Sequence, residues 1–281
     1  DFQREGNPVG YFVPDMRPET TGKTLILCRT GVEGAGLVAG RILDDRIIEV
    51  DEKGSILWEW RSTDHVDELE LSEAARNAMY RASTLPKEYD GLHSPQHEKD
   101  PYDWLHCNSV SYVGPNRWYD EGDERFHPGN IIWDSRDTNI IAIITREKGE
   151  IVWKLGPDYT RPEYRAFGQI IGQHHAHIIP RGLPGEGNLL VFDNGGFAGY
   201  GDPNPGAPIG EYNAVRPYSR VLEIDPISLA LRWEYSAKTA GYGYHFHHRF
   251  YSPFVSSAQR LPNGNTLICE GDTPRVFETT E

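Results

Sequence analysis

Three segments of this chain end on a tryptophan at the same step of a shared pattern. The stretches DDRIIEVDEKGSILWEW (44–60), TNIIAIITREKGEIVWKLG (138–156) and SRVLEIDPISLALRWEYS (219–236) align with Trp58, Trp153 and Trp233 in register. Each is a β-rich run, a turn and a second run. The turns DEKG and REKG put glycine where a hairpin often needs positive φ. Another strand type precedes these units: KTLILCRTG (23–31), GNIIWDSRD (129–137) and GNLLVFDNGG (187–196), with GNTLICEGD (264–272) beginning one more. Before the last three lie LHCNSVSYV (105–113), HHAHIIPRG (174–182) and SSAQRLPNG (256–264). The module is a four-stranded antiparallel meander of about 40–50 residues, the period of a β-propeller blade.

The expected fold is therefore all-β, a propeller forming a single domain over residues 1–281. About three and a half to four blades are visible: a first with an uncertain inner strand, two full ones, and a fourth that stops after RVFETTE. Since closed propellers usually hold more, the sequence is expected to be a fragment of a longer ring or to close unusually. Residues 61–104 are a helical insertion, with a helix over SEAARNAMYRAS (72–83) and Ser72 as its N-cap. The Pro-, Gly- and Tyr-rich loops at 157–171 and 197–217 are long enough to cover a site.

Within this frame the histidines gain meaning. Six of the 11 fall in two windows, GQHHAHIIPRG (172–182) and YHFHHRF (244–250). The first strand of each blade lines the channel, and aligning LHCNSVSYV with HHAHIIPR sets His106 on His174 and Asn108 on Ala176. His106 and His174 are then expected to be neighbours on one axis. Strand alternation sends His175 and His177 the other way. A rival reading makes His175 and His177 an i, i+2 metal pair. Extended to His106 and His174, it gives a histidine site for Cu, Fe or Zn. The YHFHHRF segment is expected to be a rim loop, with His247 and His248 reaching over the mouth. Asn108, Arg136, Asn194 and Arg220 are the polar and cationic candidates nearest the channel.

Composition narrows the function classes. The formal net charge is −14 with no Lys/Arg run, against a nucleic-acid-binding face. No apolar run approaches a membrane span, and no leader peptide is evident although the chain opens on Asp1. Cys28, Cys107 and Cys269 are too few and scattered for a disulfide framework and read as free thiols. Nucleophile-elbow, Walker, Rossmann and HExxH patterns do not occur.

Several segments together resemble one family. DWLHCNSV (103–110), SRDTNIIAIITREKGEIVWKLG, QHHAHII, FDNG and FYSPFVSSAQRLPNGNTLICEG are similar to the arylsulfate sulfotransferases, the first to their Asp-Trp-x-His-x-Asn signature. The resemblance implies a six-bladed propeller that moves a sulfuryl group from an aryl sulfate to a phenol, without a nucleotide donor or other cofactor, in the periplasm or outside the cell. It also implies a channel with histidines, an arginine and a sulfohistidine intermediate. His106 matches the signature histidine, and His174 matches the histidine of a His-x-Ala segment. The family's arginine after Asp-Asn-Gly has Arg220 as its stand-in. Phe254 falls where relatives carry a histidine, so His247 or His248 has to substitute as nucleophile. His106, His174, Arg220 and His248 are thus the expected catalytic set, and Asn108, Arg136, Asn194 and His247 the expected substrate-binding set. A metal-dependent lyase or oxidoreductase and a non-catalytic binding scaffold are the alternatives.

Overall fold

A computed structural model describes residues 1–10, 17–34, 36–84 and 101–280. Four antiparallel sheets follow one another along the chain. The first holds β1 (Phe2–Arg4), β2 (Thr24–Glu33), β3 (Arg41–Val50) and β4 (Ile56–Arg61), with β5 (Tyr102–Asp103) added in parallel to β3. The second is β6 (Cys107–Tyr112), β7 (Ile131–Ser135), β8 (Ile140–Ile144) and β9 (Ile151–Leu155). In the third, β10 (His174–Ile178), β11 (Leu189–Asp193), β14 (Arg220–Ile224) and β15 (Leu231–Ser236) pair in that order. The hairpin β12 (Ala198–Tyr200) and β13 (Glu211–Ala214) is inserted between β11 and β14. The fourth has three strands, β16 (Ser257–Arg260), β17 (Thr266–Glu270) and β18 (Arg275–Thr279).

The sequence repeat is a physical repeat. Trp58, Trp153 and Trp233 sit on β4, β9 and β15, opposite Glu49, Ile143 and Glu223. In all three sheets the register shifts at the next step. One extra residue there bends the strand and strengthens its twist. Every residue of β7, β8 and β11 is buried. Such continuous apolar strands need a packed layer on both faces. The first strands supply the order between sheets: β6 packs beside β1 and β2, β10 beside β6, and β16 beside β10. Side chains lock the first junction, where Asp1 and Gln3 carboxyl and amide oxygens accept the Val110 and Tyr112 N–H at 3.0 and 2.7 Å. The uncertain first strand is thus β1, and no sheet among the described residues is closed on itself.

The helix α1 spans Glu73–Thr84, and Ser72 Oγ accepts the Ala75 N–H at 3.1 Å, the N-cap expected from sequence. Residues 85–100 of the same insertion lie outside those described. Helix α1 packs on β12 and β13, and Arg81 donates to the Ile209 carbonyl at 2.9 Å. Cys28, Cys107 and Cys269 are free, although only Cys107 is fully buried. Burial together with nearby Asp45 and Asp134 pushes the Cys107 thiol well up, which keeps it protonated and unreactive.

Candidate active site

The site is built at the strand ends of the second and third sheets. Matching ladder bonds fix which residues are equivalent. The Val113 and Ile179 N–H donate to the carbonyls of Asn130 and Asn188, each at 2.8 Å. At the other end the Asp137 and Gly195 N–H donate to Leu105 and Ile171. His106 is therefore level with Gly172, and both adopt left-handed φ, +52° and +61°. Asn108 is level with His174. The alignment expected from sequence, His106 on His174, is two residues out. The alternation argument fails as well, because β10 carries a bulge: His174 pairs with Phe192 and His177 with Leu190, leaving two residues opposite Val191. His175 takes φ +55° there. An even-spaced pattern cannot reveal an inserted residue.

Even so, the chain brings His106 and His174 into one electrostatic neighbourhood together with Arg136. His106 Nδ1 lies 2.6 Å from Asp103 Oδ2. That carboxylate also accepts from Arg29 Nη1 at 3.0 Å, and Arg29 Nε donates to buried Asp45 at 2.9 Å. Burial alone would raise the Asp103 carboxyl. The hydrogen bond and charge of His106, then Arg29 and Arg136, hold it below the usual carboxylate range. Asp103 thus stays ionised beside His106. A non-glycine left-handed residue costs about 1–3 kcal/mol, and the Asp103 contact fixes the ring of this strained residue.

His174 is held differently. Asn194 Nδ2 donates to the Ser252 and Val255 carbonyls at 2.7 and 2.6 Å, so its amide cannot be turned over. Its Oδ1 faces His174 Nδ1 at 2.8 Å, and the Gly172 carbonyl lies at 3.2 Å from the same nitrogen. Two acceptors require the proton on Nδ1, which leaves Nε2 as a bare lone pair. Burial pushes the His174 pKa down to about 4, the Asn194 bond opposes this, and the charges of Arg136 and His106 add to it. The ring is neutral at pH 7. In an NMR titration its ring resonances should stay flat from pH 8 to pH 5; a midpoint near 6.5 would refute the burial and the contacts described.

Arg136 is level with Asn194, each following the last residue of a Gly-Asn strand. It is 4% exposed. Its Nη1 donates to Asp137 at 2.6 Å and its Nη2 to the Phe197 carbonyl at 2.8 Å. Nε is buried with no hydrogen-bond partner among the described residues. The guanidinium lies 5.1 Å from the Phe254 ring centroid and 5.7 Å from that of Tyr212. By the same ladder (Leu261 N–H to the Asn265 carbonyl, 2.8 Å) Phe254 is level with His106. The segment 252–255 is pressed onto Gly196: a Cβ there would stand 2.1 Å from the Pro253 carbonyl oxygen. Gly196→Ala should therefore cost about 1–3 kcal/mol, read as a lowered urea midpoint, with Asn194 losing its grip on residues 252–255.

Other expected site residues lie apart. Arg220 is engaged by Asp193 at 2.6 Å and by the carbonyls of Phe167 and Gln169. Arg216 also reaches Asp193, at 2.8 Å. Asn108 donates to the Gln173 carbonyl at 3.1 Å and ties β6 to β10. His247 and His248 belong to an exposed 3-10 turn, Tyr244–Arg249, where their rings meet Tyr218 and Phe246. Alternation has no meaning in such a turn, and no described contact joins either to His106 or His174. Among the described residues no three His, Cys, Asp or Glu side chains gather as a metal site, so the four-histidine set does not converge. Sequence reasoning missed Asp103, Arg29 and Tyr212; the Asp103-x-x-His106 spacing was its one available signal. A recess of about 390 Å³ lies elsewhere, between Trp58, Trp60, His65 and Lys148. Two of its lining charges, Glu59 and Arg61, are paired with each other.

Comparison with known proteins decides the family. The family model for arylsulfotransferase (ASST) matches residues 14–280. The chain belongs to the arylsulfotransferase family. None of the curated proteins compared with it matches. Among solved structures, a protein of unknown function from Bacteroides caccae is similar at 13% identity with a TM-score of 0.39, over 93% of this chain and 55% of that one. The chain thus spans about half the length of that structure. No helix among the described residues is long and apolar enough to cross a membrane.

Proposed function

We propose that this chain transfers a sulfuryl group from an aryl sulfate to a phenolic acceptor, with His174, His106 and Arg136 as the working groups. The observation that carries the reading is the fixed tautomer of His174, whose Nε2 lone pair is bare beside a buried cation. In the forward step that lone pair bonds to sulfur while the sulfur–aryl oxygen bond breaks. The phenolate takes a proton from His106, whose ring Asp103 orients. The sulfo group sits on Nε2, and Nδ1–H stays on Asn194. In the return step an acceptor phenol gives its proton to His106, its oxygen bonds to sulfur, and the nitrogen–sulfur bond breaks. Arg136, through the N–H donors that Asp137 and the Phe197 carbonyl leave unused, faces the charge that grows on the sulfonyl oxygens. Phe254 and Tyr212 offer ring surface to the aryl group.

The four sheets are read as successive propeller blades in one domain whose first strands line a channel. The route needs neither nucleotide donor nor cofactor, and the proposed compartment is periplasmic or extracellular. The test is release of p-nitrophenolate from p-nitrophenyl sulfate. Release should depend on an added phenol, and the phenol should be recovered as its sulfate ester. Release without a sulfated acceptor, or none by folded protein, would overturn the reading.

A further inference from the structure

The bulge in β10 sets two more imidazoles against each other, outside the machinery above. His175 and His177 have ring centroids 4.5 Å apart with planes tilted by 47°. His175 Nδ1 lies 2.9 Å from the Ala258 carbonyl, and His177 Nδ1 lies 3.0 Å from the carbonyl of His175 itself. A carbonyl oxygen only accepts, so both protons are on Nδ1 and both Nε2 atoms are lone pairs. Neither Nε2 has a partner among the described residues. An imidazole whose far N–H is held by a backbone carbonyl is the arrangement that orients a metal-ligating histidine.

We propose that His175 and His177 together bind one transition-metal ion of the copper(II) class, with water completing its coordination. With both Nε2 atoms directed at one ion, the ring separation bears on its class. With metal–nitrogen bonds of about 2.0 Å, the ring centroids stand roughly 3.1 Å from the ion. Two such rings at a right angle are about 4.4 Å apart, and at a tetrahedral angle about 5.1 Å. The observed 4.5 Å fits the right angle of tetragonal copper(II) or nickel(II). His175 is half-buried, whereas His177 is 1% exposed.

The test uses the tag-free chain with CuSO4 and then ZnSO4. Equilibrium dialysis should give a copper site tighter than any zinc site. Continuous-wave EPR should show an axial signal, with two equatorial imidazoles counted by pulsed EPR. Substoichiometric copper should broaden the His175 and His177 ring NMR signals first, a readout that needs no variant. His175→Gln should weaken binding at least tenfold, and His177→Gln should do the same if it keeps the native circular dichroism. The variant H245Q/H247Q/H248Q should retain the site. Loss of the EPR signal in that triple variant, with retention in His175→Gln, would assign the copper to the exposed turn and overturn the proposal. So would a signal with fewer than two imidazoles, or no early broadening of the two rings.

Discussion

Replacing His174 by alanine is expected to lower sulfuryl transfer about 10²–10⁴-fold, the range for losing a positioned proton-transfer or nucleophilic group. The loss should fall on kcat, since the ring acts on the reacting sulfur and contributes little to holding the aryl group. His106→Gln should separate its own role by leaving group. A p-nitrophenolate leaves with little proton assistance, whereas an unsubstituted phenolate needs the proton. The His106→Gln deficit should therefore be small with p-nitrophenyl sulfate and approach the His174→Ala deficit with phenyl sulfate. Rapid quenching of wild type should trap a sulfo-enzyme, and His174→Ala should not accumulate it. Equal deficits for both variants on both donors would remove the division of labour. A sulfo-enzyme formed by His174→Ala would put the nucleophile elsewhere.

How far the sequence spoke depended on which physical rule was carrying the signal. Strand count and order were legible because Gly-Asn openings and in-register tryptophans mark repeated hairpins, and these are now β4, β9 and β15 with the same bulge just before each tryptophan. The cap on α1 was legible because a serine before a helical run has one job. The β12–β13 hairpin was not, since its glycines and prolines read as loop. Site geometry failed at the bulges. His106 and His175 both carry positive φ without being glycine, so nothing in the composition of β6 or β10 announces the turn of the chain. From sequence, Arg136 is a candidate only as a cation near the channel. Arg220 was ranked above it by resemblance, but Asp193, buried one residue from Asn194, takes up the Arg220 guanidinium. A sequence lists the cations, and only the fold says which of them a carboxylate has already taken.

Arg136 therefore carries the second large expectation. Arg136→Met should reduce kcat/KM about 10²–10³-fold, the loss seen when one donor to a developing oxyanion is removed, about 2.7–4 kcal/mol. The cause is the guanidinium: with one N–H of Nη1 on Asp137 and one of Nη2 on the Phe197 carbonyl, its other N–H donors are left to meet a sulfonyl oxygen. Arg136→Lys should recover little, because an ammonium cannot keep both anchoring bonds and still present a third donor in the same plane. Removing the guanidinium also strands Asp137, 2% exposed, so Arg136→Met should destabilise the fold. The double variant R136M/D137N separates the two effects. It should regain much of the lost urea midpoint while staying as inactive as Arg136→Met. Recovery of activity along with stability would make Arg136 a structural partner of Asp137 and nothing more. A shared failure to recover either would trace the defect to the lost Phe197 contact and the collapse of the 197–217 loop onto the histidines.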